Sequence, residues 1–158
     1  MKNTYIVSKK PDALSDVEAK AITQLHQQFF DLRAEDIIGY LKDRTYIDLF
    51  YDKASGQLIG TVGVQWYLSD DIVIVYLGNA VIDLQTHGRG MLTRSIMRAA
   101  IKTSIKFPLK RKFFLAFATS PKAYTYFTKY KYSWPKPFEP IPDDINNVIG
   151  NFLNIYFP

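Results

Sequence analysis

Between residues 15 and 30 the apolar positions Val17, Ala21, Ile22, Leu25, Phe29 and Phe30 recur at helical intervals, which marks one face of an α-helix. Ser15 stands before them with Glu18 three residues on, a pairing that satisfies the unbonded amides of a helix start. His26 falls among Gln24, Gln27 and Gln28 and is expected on the helix's wet side. A turn over 31–34 and a shorter helix over 35–41 follow. Residues 4–7, 46–51, 58–66 and 72–84 are instead rich in β-branched and aromatic side chains and read as strands. Short turns at 53–57, with Gly56, and at 69–71 join the last three into an antiparallel meander.

The pattern changes at Gly88. From 89 to 106, Leu92, Ile96, Ala99, Ala100 and Thr103 share one helical face, while Arg94, Arg98, Lys102 and Lys106 recur every four residues on another. This predicts an amphipathic helix lying on the sheet. Residues 112–118 read as a buried strand. Pro121 suits a first helical turn with Ser120 as its cap, and that helix is predicted to end near residue 130. Four prolines between 135 and 142 make an extended connection. A last helix from Asp143 would turn Ile145, Val148, Ile149, Phe152 and Tyr156 inward. The apolar tail over 152–157 either seals the domain's own core or meets a second copy as a homodimer.

The whole, residues 1–158, is read as one domain of mixed α/β (α+β) class, a mostly antiparallel sheet flanked by helices, with 135–158 as a proline-rich connection plus C-terminal helix. Its length of 158 residues, 47% of them apolar and 22% charged, fits one globular core and excludes a disordered chain. There is no cysteine and there are only two histidines, so thiolate chemistry is excluded and no metal site is expected. The longest apolar run, 72–77, has six residues against the roughly 20 of a membrane helix. With no basic-then-apolar segment at the start, the expectation is a cytoplasmic protein without a membrane partner.

Charge is distributed unevenly. The net charge is +5, yet from 84 to 138 there is no Asp or Glu and there are twelve Lys or Arg. Such a stretch is either a solvated basic face or a surface that handles an anion. Within it, residues 81–92 run as a strand end, a polar loop with Gly88 and Gly90, and a helix start. Amides of a first helical turn lack internal partners and carry the positive end of the dipole. Glycines let a phosphate approach them closely, and Arg89 with the basic stripe behind it adds attraction. The loop is thus a candidate diphosphate site. It is neither a Walker loop nor a dinucleotide fingerprint, since Thr93 stands where the third glycine would be.

Gln85, Gly88 and Gly90 instead spell Q-x-x-G-x-G at a strand-to-helix junction after an antiparallel hairpin. This resembles the acyl-coenzyme A loop of the GNAT acyltransferase superfamily, and the element order over about residues 4–138 is similar to that family's. The resemblance implies a GNAT-like sheet with splayed central strands. It implies acetyl-CoA, or another acyl-CoA, as co-substrate, its diphosphate on the amides of Thr86, His87, Gly88, Arg89, Gly90 and Met91. Gln85 and Ser120 belong to the same binding set, and the pantetheine arm would run along the strand at Ala80, Val81 and Ile82. An N–H near Ala80 would serve as oxyanion hole. The implied reaction is direct attack of an amine acceptor on the acetyl thioester in a ternary complex.

The family's second pattern, N-x-x-A-x-x-x-Y-x-x-x-G-F, is matched only at Ala123. Ser120 replaces Asn, Phe127 replaces Tyr, and Lys131-Tyr132 replaces Gly-Phe. Tyr126 is the nearest substitute acid, with Tyr124 and Tyr130 as rivals, and Asp83 is the only carboxylate near the motif able to act as base. The acids among residues 31–36 either suit a cationic acceptor or merely favour a helix start. Two other readings stand beside the enzyme. One is a catalytically silent acyl-CoA binder. The other is a nucleic-acid module in which bases and aromatics interleave over 122–136, a pattern that core and edge packing explains equally.

Overall fold

The computed structural model describes residues 3–69, 71–86, 90–118, 124–125, 128, 133–136 and 138–156. These form two compact units, Met1–Leu115 and Ala116–Pro158. The first unit begins with β1 (Thr4–Lys9) and two helices, α1 (Asp16–Gln27) and α2 (Ala34–Lys42). The meander follows as β2 (Tyr46–Asp52), β3 (Leu58–Leu68) and β4 (Ile72–Ile82), then α3 (Met91–Lys106) and β5 (Arg111–Ala116). The sheet order is β1-β2-β3-β4-β5, with the first three pairings antiparallel.

Alternation along the strands sends two kinds of side chain to two faces. Ile47 and Leu49 of β2 join Ile22, Leu25, Ile37, Leu41, Leu58 and Val81 in a buried apolar cluster under α1 and α2. Asp48, between them in sequence, points the other way and meets Ser95 of α3. The expected capping box is present: Ser15 accepts from the Glu18 amide, and Glu18 accepts from the Ser15 amide at 2.9 Å.

Two expectations need correction. The basic stripe of α3 is not a solvated face behind the loop. Arg94 donates to Thr4, and Arg98 and Lys102 both donate to Ser8, so three of its four members are drawn onto β1. The inward line is Met91, Ser95, Ala99 and Thr103. Strand β5 is half-exposed rather than buried, with Phe114 42% exposed, because it is the outermost strand in the sheet order. It is tied to β4 at its start, where the Arg111 amide donates to the Asp71 carbonyl at 2.9 Å.

In the second unit the last helix, α4 (Asp143–Tyr156), buries Val148 and Phe152, and Phe152 lies 6.2 Å from the Phe117 ring. The helix expected over 121–130 falls largely outside the described residues. None of the described helices is long and apolar enough to cross a membrane.

Candidate active site

Pairing between β3 and β4 passes from Gly63↔Gly78 to Thr61↔Val81. Two residues of β4, Asn79 and Ala80, therefore oppose Val62 alone, which is a β-bulge. Asn79 sits in the left-handed region at φ 51°, where Asn is better tolerated than other side chains. Ala80 is exposed and drops out of the ladder register. The bulge lies on the strand that neighbours β5.

Beyond the bulge, the Asp83 amide donates to the Ile59 carbonyl at 2.9 Å, which closes the strand. Residues Leu84–Thr86 then make one tight turn. Helix α3 opens at Gly90, whose φ is 68° and whose position has open space where a Cβ would stand. Among the described residues no side chain caps this helix, and no acid lies in its first turn. Its first internal bond runs from the Arg94 amide to the Gly90 carbonyl at 3.0 Å. The amides of Met91 and Leu92 thus face outward at the positive end of a 16-residue helix.

The structure sorts the expected site residues. Ala80 and Gly90 are accessible at the two ends of the junction. Val81 is buried in the apolar cluster, so only its backbone can serve a ligand. Ile82 ends β4 opposite Gly60. Asp83 acts locally: one carboxylate oxygen accepts from the Gln85 amide at 2.9 Å, and its carbonyl accepts both the amide and the hydroxyl of Thr86. The amides of Gln85 and Thr86 are therefore already used, and among the described residues only those of the helix start proper could hold an anion. The Met91 side chain is buried, which leaves its amide as the available group. His87, Gly88, Arg89, Ser120 and Tyr126 lie outside the described residues. Arg33 pairs with Glu35 at 2.6 Å and Asp36 at 3.0 Å, so two of the acids in the 31–36 segment are already matched by a cation. Among the described residues no three His, Asp or Glu side chains gather as metal ligands. A shallow groove between α1 and α2, lined by Ala19, Thr23 and Gln27 among others, shares no residue with this junction.

Three residues at the bulge carried no functional signal in the sequence. His26 is 3% exposed, not on a wet face, because it follows Ile22 by four positions on the packed side of α1. Its Nε2 lies 3.0 Å from Thr61 Oγ1. Burial holds its pKa down to about 4, so the ring is neutral at pH 7. Arg44, also buried, donates from Nε and Nη2 to Asn79 Oδ1 at 3.1 and 2.8 Å. Alternation with Ile22 could have flagged His26. Nothing local could have paired Arg44 with a residue 35 positions away.

No known family pattern matches the chain, and no curated protein matches it in sequence. Solved structures do match in fold. An acetyltransferase from Trypanosoma brucei superposes with a TM-score of 0.59 at 11% identity, over 89% of this chain and 99% of that one. Glucosamine-6-phosphate N-acetyltransferase from Arabidopsis thaliana gives 0.56 at 14% identity, over 87% and 100%. An aminoglycoside N-acetyltransferase in complex with CoA gives 0.59 at 13%, over 88% and 93%. With a five-stranded, mostly antiparallel sheet and a bulged β4, this chain has the fold of the GNAT acetyltransferases.

Proposed function

We propose that the protein is an acetyltransferase that moves an acetyl group, or another short acyl group, from coenzyme A to an amine. The observation that carries this reading is the pairing of two accessible backbone features: the exposed bulge at Ala80 and the uncapped start of α3 at Gly90. The outward amides of Met91 and Leu92 bind the diphosphate of the co-substrate, and Gly90 leaves room for it. His87, Gly88 and Arg89 complete that loop, with Ser120 contacting the pantetheine arm. The strand edge at Ala80–Ile82 holds the arm by backbone pairing.

The amine nitrogen attacks the thioester carbon and the carbonyl electron pair moves onto oxygen, where the Ala80 amide stabilises it. As that pair returns, the carbon–sulfur bond breaks and thiolate leaves. Asp83 takes the proton that the nitrogen gives up once it has bonded to the carbon, and Tyr126 donates one to the thiolate. The acceptor is a small molecule or peptide carrying a free amine.

Acetyl-CoA at millimolar concentration should raise the melting temperature by roughly 5–10 °C if it is present at about 100 times its Kd. Gly90→Asp should abolish the shift while leaving the fold intact, because Asp tolerates a left-handed backbone but sets a negative charge in the cradle. No shift in the wild type, or an equal shift in the variant, overturns the reading. Release of free thiol across a panel of amines separates an enzyme from a silent binder, and Tyr126→Phe and Asp83→Asn should slow that release.

A further inference from the structure

The bulge is held by a set of buried polar side chains that neither the sheet ladder nor the proposed chemistry requires. Thr61 Oγ1 donates to the Asn79 carbonyl at 3.3 Å. A hydroxyl has one proton to give, so His26 Nε2, 3.0 Å from the same oxygen, must be the donor to it. That fixes the His26 ring as the Nε2–H tautomer. The result is a directional chain: His26 N–H to Thr61 O–H to the Asn79 carbonyl.

The Asn79 carbonyl and the Ala80 amide belong to one planar trans peptide, in which C=O and N–H point in opposite directions. A carbonyl drawn toward Thr61 on β3 sends the Ala80 N–H away from β3, to the side of β4 on which β5 lies. Bonding at the carbonyl also polarises the unit and strengthens its N–H as a donor.

Arg44 holds the other end of the same residue. Its two nitrogens grip Asn79 Oδ1, its guanidinium carbon lies 4.9 Å from the centre of the Tyr76 ring, and its stem lies over Gly63. A Cβ at Gly63 would come within 3.1 Å of Arg44 Cγ and Cδ, so the absence of a side chain there is what lets Arg44 reach the bulge.

We infer that Arg44 and the His26–Thr61 pair are positioning residues that clamp Asn79 in its left-handed conformation and thereby aim the Ala80 amide at the acyl carbonyl. The inference rests on the acyl-CoA reading, since only a bound thioester gives that amide a target. Aiming matters because a donor a fraction of an ångström off line loses much of its effect on the transition state.

The test reads the carbonyl directly and needs no knowledge of the acceptor. Acetyl-CoA labelled with carbon-13 at the thioester carbonyl is bound to the full chain, and its stretching band is followed by difference infrared spectroscopy. In the wild type the band moves to lower frequency on binding. In Thr61→Val and in Asn79→Gly, which keeps the left-handed turn but removes the grip of Arg44, that displacement should shrink by at least half. Affinity for CoA lacking the acetyl group should stay within about twofold, and Thr61→Ser should restore the band. With any amine acceptor in hand, kcat should fall about tenfold in both variants with little change in KM for acetyl-CoA. Asn79→Gly carries the test should Thr61→Val fail to fold. A wild-type band in both variants overturns the clamp while leaving the acyl-CoA reading intact. A wild type that binds neither acetyl-CoA nor CoA overturns the reading, and the clamp with it.

Discussion

On β2, Asp48 and Leu49 are consecutive, both are 0% exposed, and they point to opposite faces of the same sheet. Leu49 enters a dry cluster of side chains from α1, α2, β2, β3 and β4. Asp48 enters a polar cluster: Ser8 and Ser95 donate to its two oxygens at 2.5 and 2.6 Å, Arg98 Nε lies 4.0 Å away, and Arg98 and Lys102 both donate to Ser8. An apolar contact is non-directional and tolerates small slides. A carboxylate with named donors at fixed angles does not. The face that needs only cohesion is oily, and the face that must hold α3 in one register, with its open end beside β4, is ionic.

That contrast breaks hardest at Asp48. Asp48→Ala should cost about 4 kcal/mol in urea unfolding, because it removes the fully buried carboxylate that accepts from Ser8 and Ser95 and leaves the half-buried Arg98 and Lys102 without their counter-charge. A cost below about 1 kcal/mol would show the cluster to be decorative. Replacing Asp48 and Arg98 together by Leu should recover most of the loss, since an apolar pair needs no compensation. On the opposite face, Leu49→Ala should cost about 3 kcal/mol through the cavity it opens, and no second substitution on α3 should rescue it.

The next effect is one of pH, and it belongs to the oily face. His26 titrates at about 6.5 when unfolded and is held down to about 4 by burial. Between those values the unfolded chain carries a proton that the folded chain refuses. Stability is therefore full above about 6.5 and falls as pH drops toward 4, by about 1.4 kcal/mol per unit. His26→Gln should remove this component from unfolding curves measured between pH 7 and 4.5. Glu18 leaves that window clear. Although partial burial raises its pKa, bonds from Lys9, Ser15 and Tyr51 outweigh this and bring it to about 2, so its contribution is present above about 4.5 and is lost only below that.

How much of this was legible depends on the range of the signal. The capping box and the meander are local patterns, and each is found where the sequence puts it. The orientation of α3 was not. Its apolar Met97, Ile101 and Ile105 face solvent, at 59, 58 and 77% exposed, while its basic stripe folds inward. The reason is Asp48, a single carboxylate 47 positions from Ser95. Periodicity ranks positions by hydrophobicity and has no means of weighing one buried charge against three apolar side chains. At the site, Gly90 marks the start of α3 in sequence and structure alike, but the bulge that exposes Ala80 is contacted by Arg44 and Thr61, with His26 behind Thr61. All three lie on other elements and are found only once the strands are paired.

The smallest expected effect tests whether the oily face has a directional component of its own. Ser15→Ala removes the side chain that caps α1 and should cost about 1 kcal/mol. It leaves Glu18 bonded to Lys9 of β1 at 2.8 Å and to Tyr51 of β2 at 3.2 Å. If α1 is placed on the sheet by its apolar stripe alone, Tyr51→Phe should add nothing measurable to Ser15→Ala. If Glu18 also anchors the helix, the double variant should lose more than the two single variants together by over about 0.5 kcal/mol, the coupling expected of groups that share one partner. Additivity in a double-mutant cycle at pH 7 would keep the two faces distinct in kind. Strong coupling would mean that both helical layers are registered by carboxylate bonds and differ only in how many each one uses.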